Sequence, residues 1–243
     1  AAIASGGTST LRASAAAAGL EREDLCGFLF KANSPSSGME RVRVYSPKGV
    51  PSRTGIGLFA RTFMERFPLL PAEDEGRLHD PALRENFVER LFTVHRWRRL
   101  LAAGRTRGGL VQFQSENKLL VLSHSPRHAS ALGKLVAQAK SVALPDLFER
   151  YFALLAEALR LKATVAKHCN VLHHILGYFK KQLTADEKQE ALEVVEEYRH
   201  GSVPLIVPIT LLNHYVRKYS EPYLRQQTYL HPHPAELALR NHV

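Results

Sequence analysis

The stretch TADEKQEALEVVEEYRHG, residues 184–201, contains signals for both the start and the end of a helix. Thr184 is followed three residues later by Glu187, which fits the capping box, where both side chains satisfy backbone amides at a helix start. Gly201 can adopt the positive φ with which helices commonly end. The stretch therefore predicts a helix between Thr184 and Gly201.

Helical signals also precede this segment, from Asp80 onward. Asp80 before Pro81, and Ser125 before Pro126, each combine a capping side chain with a proline in the first turn. Both pairs predict a helix start.

The sequence from residue 146 onward also predicts helices. Residues 146–181 hold no proline, so one long bent helix or two collinear helices must span them. Residues 204–219 predict a last long helix, which tolerates Pro208 only near its first turns. The whole part from Asp80 therefore predicts an all-α domain.

The residues before Asp80 have a different character. Short apolar runs predict strands at Cys26–Lys31 and Arg41–Tyr45, and the turn formers of Pro51–Gly57 predict a loop. A helix is expected at Leu58–Arg66, stopped by Pro68. So little chain cannot bury both faces of a sheet. We therefore predict a mainly α protein: an incomplete α/β segment, residues 1–90, followed by a helical domain, residues 91–243.

Composition and cysteine usage limit the class of protein. The 243 residues are 45% hydrophobic, and no segment approaches the roughly 20 continuous apolar residues of a membrane span. Cys26 and Cys169 are too few for a disulfide framework. These features favour a cytoplasmic protein without a membrane partner. The chain also begins without Met, which suggests processing or a fragment.

The formal net charge of +10 makes anionic partners, including nucleic acid, electrostatically plausible. The densest basic cluster is Arg96-Trp97-Arg98-Arg99 with Arg105 and Arg107, near the end of an expected helix. Cations there also complement the helix dipole. Two interpretations stay open, a surface for nucleic acid and a solvated helix end, and the second is favoured.

A serine-rich loop, Ser34-Pro-Ser-Ser-Gly38, separates the two expected strands. It could be an ordinary surface turn, in which Pro35 fixes one φ and the hydroxyls bond the local backbone. It could also be a binding loop at the carboxyl end of a strand, where open α/β sheets place their ligands.

Two histidine-rich segments stand out in the helical part. In HCNVLHHILGYFKK, residues 168–181, helical spacing puts Asn170, His174 and Tyr178 on one face. The segment has no HExxH pattern and no carboxylate, so a buried polar network to another helix is favoured over a ligand site. His231-Pro-His-Pro predicts an extended connector, whose histidines either bind an anion when protonated or are exposed linker residues, the latter being favoured.

The helical part, from about Leu110, resembles the YbgA family. The similarity is carried by Asn170-Val-Leu-His-His174 with Gly177-Tyr-Phe179, by the segment from Tyr198 to Pro208, and by PHPAELALRNHV, residues 232–243. These matches are long and specific. Within this domain we expect a polar site formed by Lys118, His124, His168, Asn170, His174 and Tyr178.

The first part, to about Arg90, resembles the C-terminal half of the thiouracil desulfidases (TudS-like), which many bacteria fuse ahead of a YbgA domain. The matching stretches are GFLFK, residues 27–31, SPSSG, residues 34–38, MERV, residues 39–42, EGRL, residues 75–78, and LRENF, residues 83–87. The resemblance implies C=S desulfuration of thiolated pyrimidines or nucleotides. It implies catalytic roles for Ser34 and Ser36, and substrate binding by Lys31, Ser37, Gly38, Glu40 and Arg41.

The resemblance also implies an iron-sulfur cofactor. In the family the loop reads Ser-Pro-Ser-Cys-Gly, and its cysteine is one of three ligands of a four-iron, four-sulfur cluster with one open iron. Here Ser37 takes that position, and the N-terminal half that carries the other two cysteines is lacking. Cys26 is the one candidate substitute ligand. We therefore expect a truncated or degenerate desulfidase that holds no cluster by itself, the alternative function being a helical module that binds nucleic acid or a partner protein.

Overall fold

The computed structural model describes residues 6–242 and divides the chain into two compact units, one ending at Phe87 and one beginning at Val88. Helices make up 62% of the chain and strands 6%. This confirms a mainly α protein with a small N-terminal α/β segment. None of the described helices combines the length and the apolar character needed to cross a membrane.

In the described residues, the first unit contains two short sheets, two complete α-helices and the first turns of a third. Its elements are α1 (Gly6–Gly19), β1 (Phe28–Phe30), β2 (Val42–Tyr45), β3 (Pro51–Gly55), α2 (Leu58–Arg66) and β4 (Ala72–Asp74). Strands β1 and β4 are parallel, with Phe28 opposite Ala72 and Phe30 opposite Asp74. Strands β2 and β3 form an antiparallel hairpin.

A small aromatic core holds helix α2 against strand β1. Phe63 is fully buried, and its ring centroid lies 4.5 Å from that of Phe28 and 5.6 Å from that of Phe30. Ala60 is also completely buried, one turn earlier on the helix. The spacing of Ala60 and Phe63 on one helical face explains why the prediction of a helix at Leu58–Arg66 is confirmed.

Two strand assignments differ from the sequence-based expectation. The prediction of a loop at Pro51–Gly57 is wrong, because Pro51–Gly55 pairs with β2. Nearly every residue of this hairpin is exposed, so no apolar alternation marks it in the sequence. No sequence pattern predicts strand β4 either, since its three residues, which include Glu73 and Asp74, are defined only by pairing with β1.

The remaining helices follow in chain order. They are α3 (Pro81–Ala102), α4 (Arg107–His124), α5 (Pro126–Ala137), α6 (Leu144–Arg160), α7 (Val165–Tyr178), α8 (Ala185–Arg199), α9 (Ile206–Lys218) and α10 (Pro222–Arg225). The core of the second unit includes Trp97, which stacks on Tyr151 at 5.5 Å between ring centroids.

The predicted helix boundaries are confirmed by the capping contacts. The Asp80 carboxylate accepts hydrogen bonds from the amides of Ala82 and Leu83, and Ser125 Oγ accepts one from the amide of His128. The full capping box of Thr184 and Glu187 is present. These caps act within one turn, so the local sequence suffices to specify them.

Helix ends behave as their residues predict. Gly201 has a φ of +75°, the left-handed conformation expected after helix α8. Two helices, α6 and α7, cover the proline-free region before Lys181, and Thr164 Oγ1 caps the second by accepting from the amide of Lys167. Pro208 lies in the first turn of α9, where a missing amide hydrogen does no harm.

Candidate functional site

In the first unit, two loops meet at the carboxyl ends of parallel strands. The serine loop follows β1, and residues 75–77 follow β4. Lys31 Nζ lies 2.6 Å from Glu75 Oε1, which joins the two loops by an exposed ion pair. Arg77 pairs with Glu40 at 3.0 Å and with the buried Glu73 at 2.7 Å. This is the edge at which open α/β sheets bind ligands.

The hydroxyls of the serine loop bond mainly to one another. Ser34 Oγ accepts hydrogen bonds from the Ser37 amide at 3.2 Å and from the Ser37 hydroxyl at 3.0 Å. Ser36 Oγ lies 3.3 Å from Ser34 Oγ. The Gly38 amide closes the turn by donating to the Ser34 carbonyl at 2.8 Å. The three hydroxyls therefore form one compact polar cluster.

The loop is anchored on the first turn of helix α2. The amide of Phe59 donates to the Ser36 carbonyl at 2.8 Å, and the amide of Gly57 donates to the Gly38 carbonyl at 2.8 Å. A Cβ on Gly57 would lie 2.4 Å from the Ser36 carbonyl oxygen, so only glycine allows this approach. The loop thus satisfies amides that a helix start leaves without partners.

The structure places the expected substrate-binding residues around this loop. Lys31 and Glu40 pair with Glu75 and Arg77, Ser37 belongs to the hydroxyl cluster, and Gly38 is buried. Arg41 is exposed, with a φ of +57°. The binding role of this group, like the catalytic role of Ser34 and Ser36, stays a prediction.

The donor set does not fit a four-iron cluster. Cys26 is the single cysteine of the first unit, and burial raises the pKa of its thiol, which opposes the thiolate that iron needs. Ser37 supplies a hydroxyl, a hard and weakly acidic ligand. Within residues 6–242, no three His, Cys, Asp or Glu side chains are arranged to hold a metal ion.

The second unit contains a buried charged network centred on Glu89 of helix α3. The side chain of Glu89 is 3% exposed, and Arg240 Nη2 donates to its Oε1 at 2.7 Å. His124 Nε2 lies 3.1 Å from its Oε2. Although burial opposes ionisation, the hydrogen bond from His124 and the charge of Arg240 hold the pKa of Glu89 below its ordinary value. The carboxylate is therefore ionised inside the helical core.

His124 connects this carboxylate to the end of helix α6. Its Nδ1 lies 2.6 Å from the carbonyl oxygen of Leu161, while Nε2 faces Glu89. A carbonyl oxygen only accepts hydrogen bonds, so Nδ1 carries a hydrogen and donates to Leu161. Lys167 Nζ donates to the His124 carbonyl at 2.7 Å, which ties helix α7 to the same point.

His168 lies beside the network and bonds to Tyr229. Its Nδ1 is 2.9 Å from the hydroxyl of Tyr229, and the side chain is buried. Burial, reinforced by the positive charge of Arg240, lowers the pKa of His168 to about 3. His168 is therefore neutral.

The residues of the expected polar site do not lie together in the structure: some are buried and the others are exposed. His124 and His168 join the buried network, but Lys118, Asn170, His174 and Tyr178 are exposed. The prediction of a buried network through Asn170, His174 and Tyr178 is wrong, because helix α7 buries its opposite face. Tyr178 instead stacks on Tyr223, with 5.2 Å between ring centroids. Helical spacing groups residues by face without telling which face is covered.

Sequence reasoning missed Glu89, Tyr229 and Arg240. Glu89 lies four residues before the buried Thr93 and eight before the buried Trp97, on the core face of α3. A glutamate on the core face of a helix indicates that a buried cation pairs with it, because an unpaired buried charge is costly.

The basic cluster at the end of α3 is partly structural. Arg96 donates to the carbonyl of Pro232 at 2.8 Å and to Thr93 Oγ1 at 2.9 Å, and burial lowers its pKa to about 10. Arg107 donates to the carbonyls of Ala139 and Val142. Arg99 and Arg105 are exposed, so only part of the cluster fits the favoured solvated helix end.

Comparisons with known proteins assign both parts of the chain. A family model described as "Protein of unknown function (DUF1722)" matches residues 118–234, and one described as "2-thiouracil desulfurase" matches residues 8–75. The "Uncharacterized protein YbgA" of Escherichia coli (strain K12) is 33% identical over 153 residues, which are 63% of this chain and 90% of that protein. No solved structure matches the chain.

Proposed function

Because the chain belongs to the YbgA family and carries a 2-thiouracil desulfurase region ahead of that domain, we propose that it is a degenerate fused desulfidase. In this proposal the first unit keeps the loop that receives a thiolated pyrimidine or nucleotide. It lacks the thiolates for an iron-sulfur cluster, so its own residues do not carry out desulfuration.

The observation that carries the proposal is the state of Ser37. At the position where the resemblance implies a cluster thiolate, the Ser37 hydroxyl donates to Ser34 Oγ at 3.0 Å. A serine hydroxyl is not deprotonated at neutral pH, and Cys26 is held in its thiol form by burial. Neither Ser37 nor Cys26 therefore supplies the soft, ionised ligand that iron prefers.

The loop retains groups that suit a polar heterocycle. Ser36 is the exposed member of the hydroxyl cluster, and Lys31 and Glu40 provide one charge of each sign at the same strand ends. Hydroxyls can both donate to and accept from the ring amide and carbonyl groups of a pyrimidine. Binding without turnover is therefore the behaviour we expect.

Anaerobic reconstitution with iron and sulfide is expected to leave the chain without a stoichiometric cluster. Ser37→Cys should not change this, because two cysteines in the first unit still fall short of three thiolate ligands. Visible absorbance, iron and sulfide counts per chain, and sulfide release from 2-thiouracil are the measurements. Ser141→Cys, an exposed position in the second unit, is the matched control for adventitious iron. A full cluster that releases sulfide in the unmodified chain would show an active desulfidase.

A second candidate function, binding of nucleic acid, is favoured by the charge distribution of the helical unit. Residues 88–243 hold 22 of the 33 Lys and Arg but only 13 of the 23 Asp and Glu. Between Arg96 and Ala143, Glu116 is the single acidic residue, whereas helix α8 carries six. A basic segment of this kind is typical of a protein surface that binds the phosphate backbone of nucleic acid.

If this segment binds nucleic acid, changing Arg99, Arg105 and Lys118 together to Ser should weaken binding and flatten its salt dependence. The slope of log affinity against log salt should fall by about 0.9 for each duplex phosphate that the variant no longer neutralises. The exposed basic residues Lys188, Arg199 and Arg225, also changed to Ser, form the matched control. Absence of binding at about 50 mM salt, or an equal reduction of affinity in the control, would exclude this surface.

A further inference from the structure

A cavity of about 260 Å³ lies in the second unit, between helix α9 and the closing segment of the chain, residues 230–241. On the helix side its lining residues share one face, and they are Ile206, Ile209, Thr210, Asn213 and Arg217. At 1.5 Å per residue, this row of side chains covers about 16 Å of the helix. The cavity therefore extends along the helix, and it takes no part in the proposed desulfidase function.

The closing segment runs along α9 in the opposite direction. The amide of Ile206 donates to the carbonyl of Arg240 at 3.1 Å, which holds residues 239–241 at the N-terminal end of the helix. Near the other end, the charge of Arg217 acts on the ring of His231. Both walls of the cavity therefore share the same two ends, one at Ile206 and one at Arg217.

The end at Ile206 is mainly apolar. Ile206 and Ile209 line it from the helix, and Ala238 and Leu239 line it from the closing segment. Asn241, a polar residue at this end, is exposed, so water can satisfy its amide. Apolar walls of this kind can accommodate a hydrocarbon chain.

The end at Arg217 carries a positive charge that no acidic side chain compensates. Arg217 is exposed, and no ion pair to it occurs among residues 6–242. The other lining arginine, Arg240, already donates to Glu89 at 2.7 Å. None of the described lining residues is Asp or Glu. Arg217 therefore remains for an anionic group, to which Asn213, one turn earlier, can add amide hydrogens.

His231 lines the same end of the cavity and senses the same charge. Partial burial, followed by the positive charges of Arg240 and Arg217, lowers the pKa of its ring. An anion held by Arg217 would offset these two charges and favour the protonated ring. His231 is therefore a second partner for an anion, and one whose contribution grows as the pH falls.

We propose that this cavity binds the anion of a medium-chain fatty acid, with octanoate as its representative. The carboxylate pairs with Arg217 and accepts hydrogen bonds from Asn213, and the unbranched chain lies along α9 toward Ile206. The single uncompensated guanidinium among the described lining residues matches a single negative charge. The separation of a charged end from an apolar end matches an extended amphiphile. The assignment is independent of the desulfidase proposal, because it uses residues of the helical unit alone.

Octanoate, butyrate and octanamide test the two ends of the cavity separately. Calorimetric titration of the full chain at pH 7.5 should show saturable octanoate binding. Butyrate should bind at least about tenfold more weakly, since each buried methylene contributes roughly fourfold in affinity. Octanamide keeps the chain length but has no charge, and it should also bind at least about tenfold more weakly than octanoate.

Variants at each end have matched controls. Arg217→Gln should weaken octanoate at least about tenfold and leave octanamide unchanged, whereas Arg225→Gln, an exposed charge on α10 outside the cavity, should affect neither. Ile206→Ala should weaken octanoate and octanamide alike by at least about threefold. Val207→Ala, the exposed neighbour that does not line the cavity, should weaken neither.

The titration of His231, followed by NMR, is a measurement that needs no variant. Its pKa should rise when octanoate is bound and stay unchanged with octanamide, because the carboxylate alone offsets the charges of Arg217 and Arg240. Octanoate should accordingly bind more tightly at about pH 6 than at about pH 8. Absence of saturable octanoate binding, equal affinity for octanoate and octanamide, an equal loss in Arg225→Gln, or an unchanged pKa of His231 would overturn the proposal.

Discussion

Replacing Glu89 with Leu is expected to lower the free energy of unfolding of the second unit by about 3–5 kcal/mol. The reason is that the buried Arg240 would lose the carboxylate that compensates its charge, and the buried His124 would lose its contact with the same carboxylate. Urea unfolding followed by Trp97 fluorescence is the measurement, because Trp97 is the single tryptophan and is buried in this unit. A decrease below about 1 kcal/mol would contradict the role assigned to this network.

Two controls separate the network from a general effect of the substitution. Glu149→Leu, at an exposed position on α6, should change the unfolding free energy by no more than about 0.5 kcal/mol. The double change Glu89→Leu with Arg240→Met should cost less than Glu89→Leu alone, because replacing both partners leaves no orphaned charge between them. A double variant as unstable as the single one would show that packing, and not charge, dominates.

The carboxylate of Glu89 also makes the stability of the protein depend on pH, with stability decreasing at low pH. The folded-state pKa of Glu89 lies below its ordinary value of 4.5, so its stabilising contribution is complete above that value and is lost as the pH falls. The unmodified protein should therefore lose more stability between about pH 5 and pH 3 than Glu89→Gln does.

Gly57→Ala should destabilise the serine loop by about 1–3 kcal/mol, because the new Cβ meets backbone that cannot move independently. It would lie 2.4 Å from the Ser36 carbonyl oxygen and 2.7 Å from the Ser37 amide nitrogen. Amide hydrogen exchange of Phe59, which donates to Ser36, reports this directly and should accelerate at least about fivefold.

Gly19→Ala in the same unit is the matched control. Its Cβ would have no heavy atom within 4 Å, so exchange at Phe59 should stay unchanged. If Gly57→Ala exchanges like the unmodified protein, the loop is not held by this close approach, and the arrangement of the three hydroxyls loses its support.

The sequence by itself determined the elements whose signals act within one helical turn. Asp80, Ser125 and Thr184 cap helices as their positions predict, and Gly201 adopts the expected positive φ. Caps and breakers work through contacts three or four residues apart, so no distant partner is needed to interpret them. The family motifs likewise identified both parts of the chain.

Only the tertiary structure decided which residues form each site. Strand β4 exists because it pairs with β1, more than forty residues away, and Glu89 is an ionised core residue because Arg240 reaches it from the end of the chain. Which face of helix α7 is covered was likewise set by its neighbours, leaving Asn170 and His174 outside. Pairing and burial depend on partners that local sequence does not name, since side-chain periodicity fixes only which residues share a face.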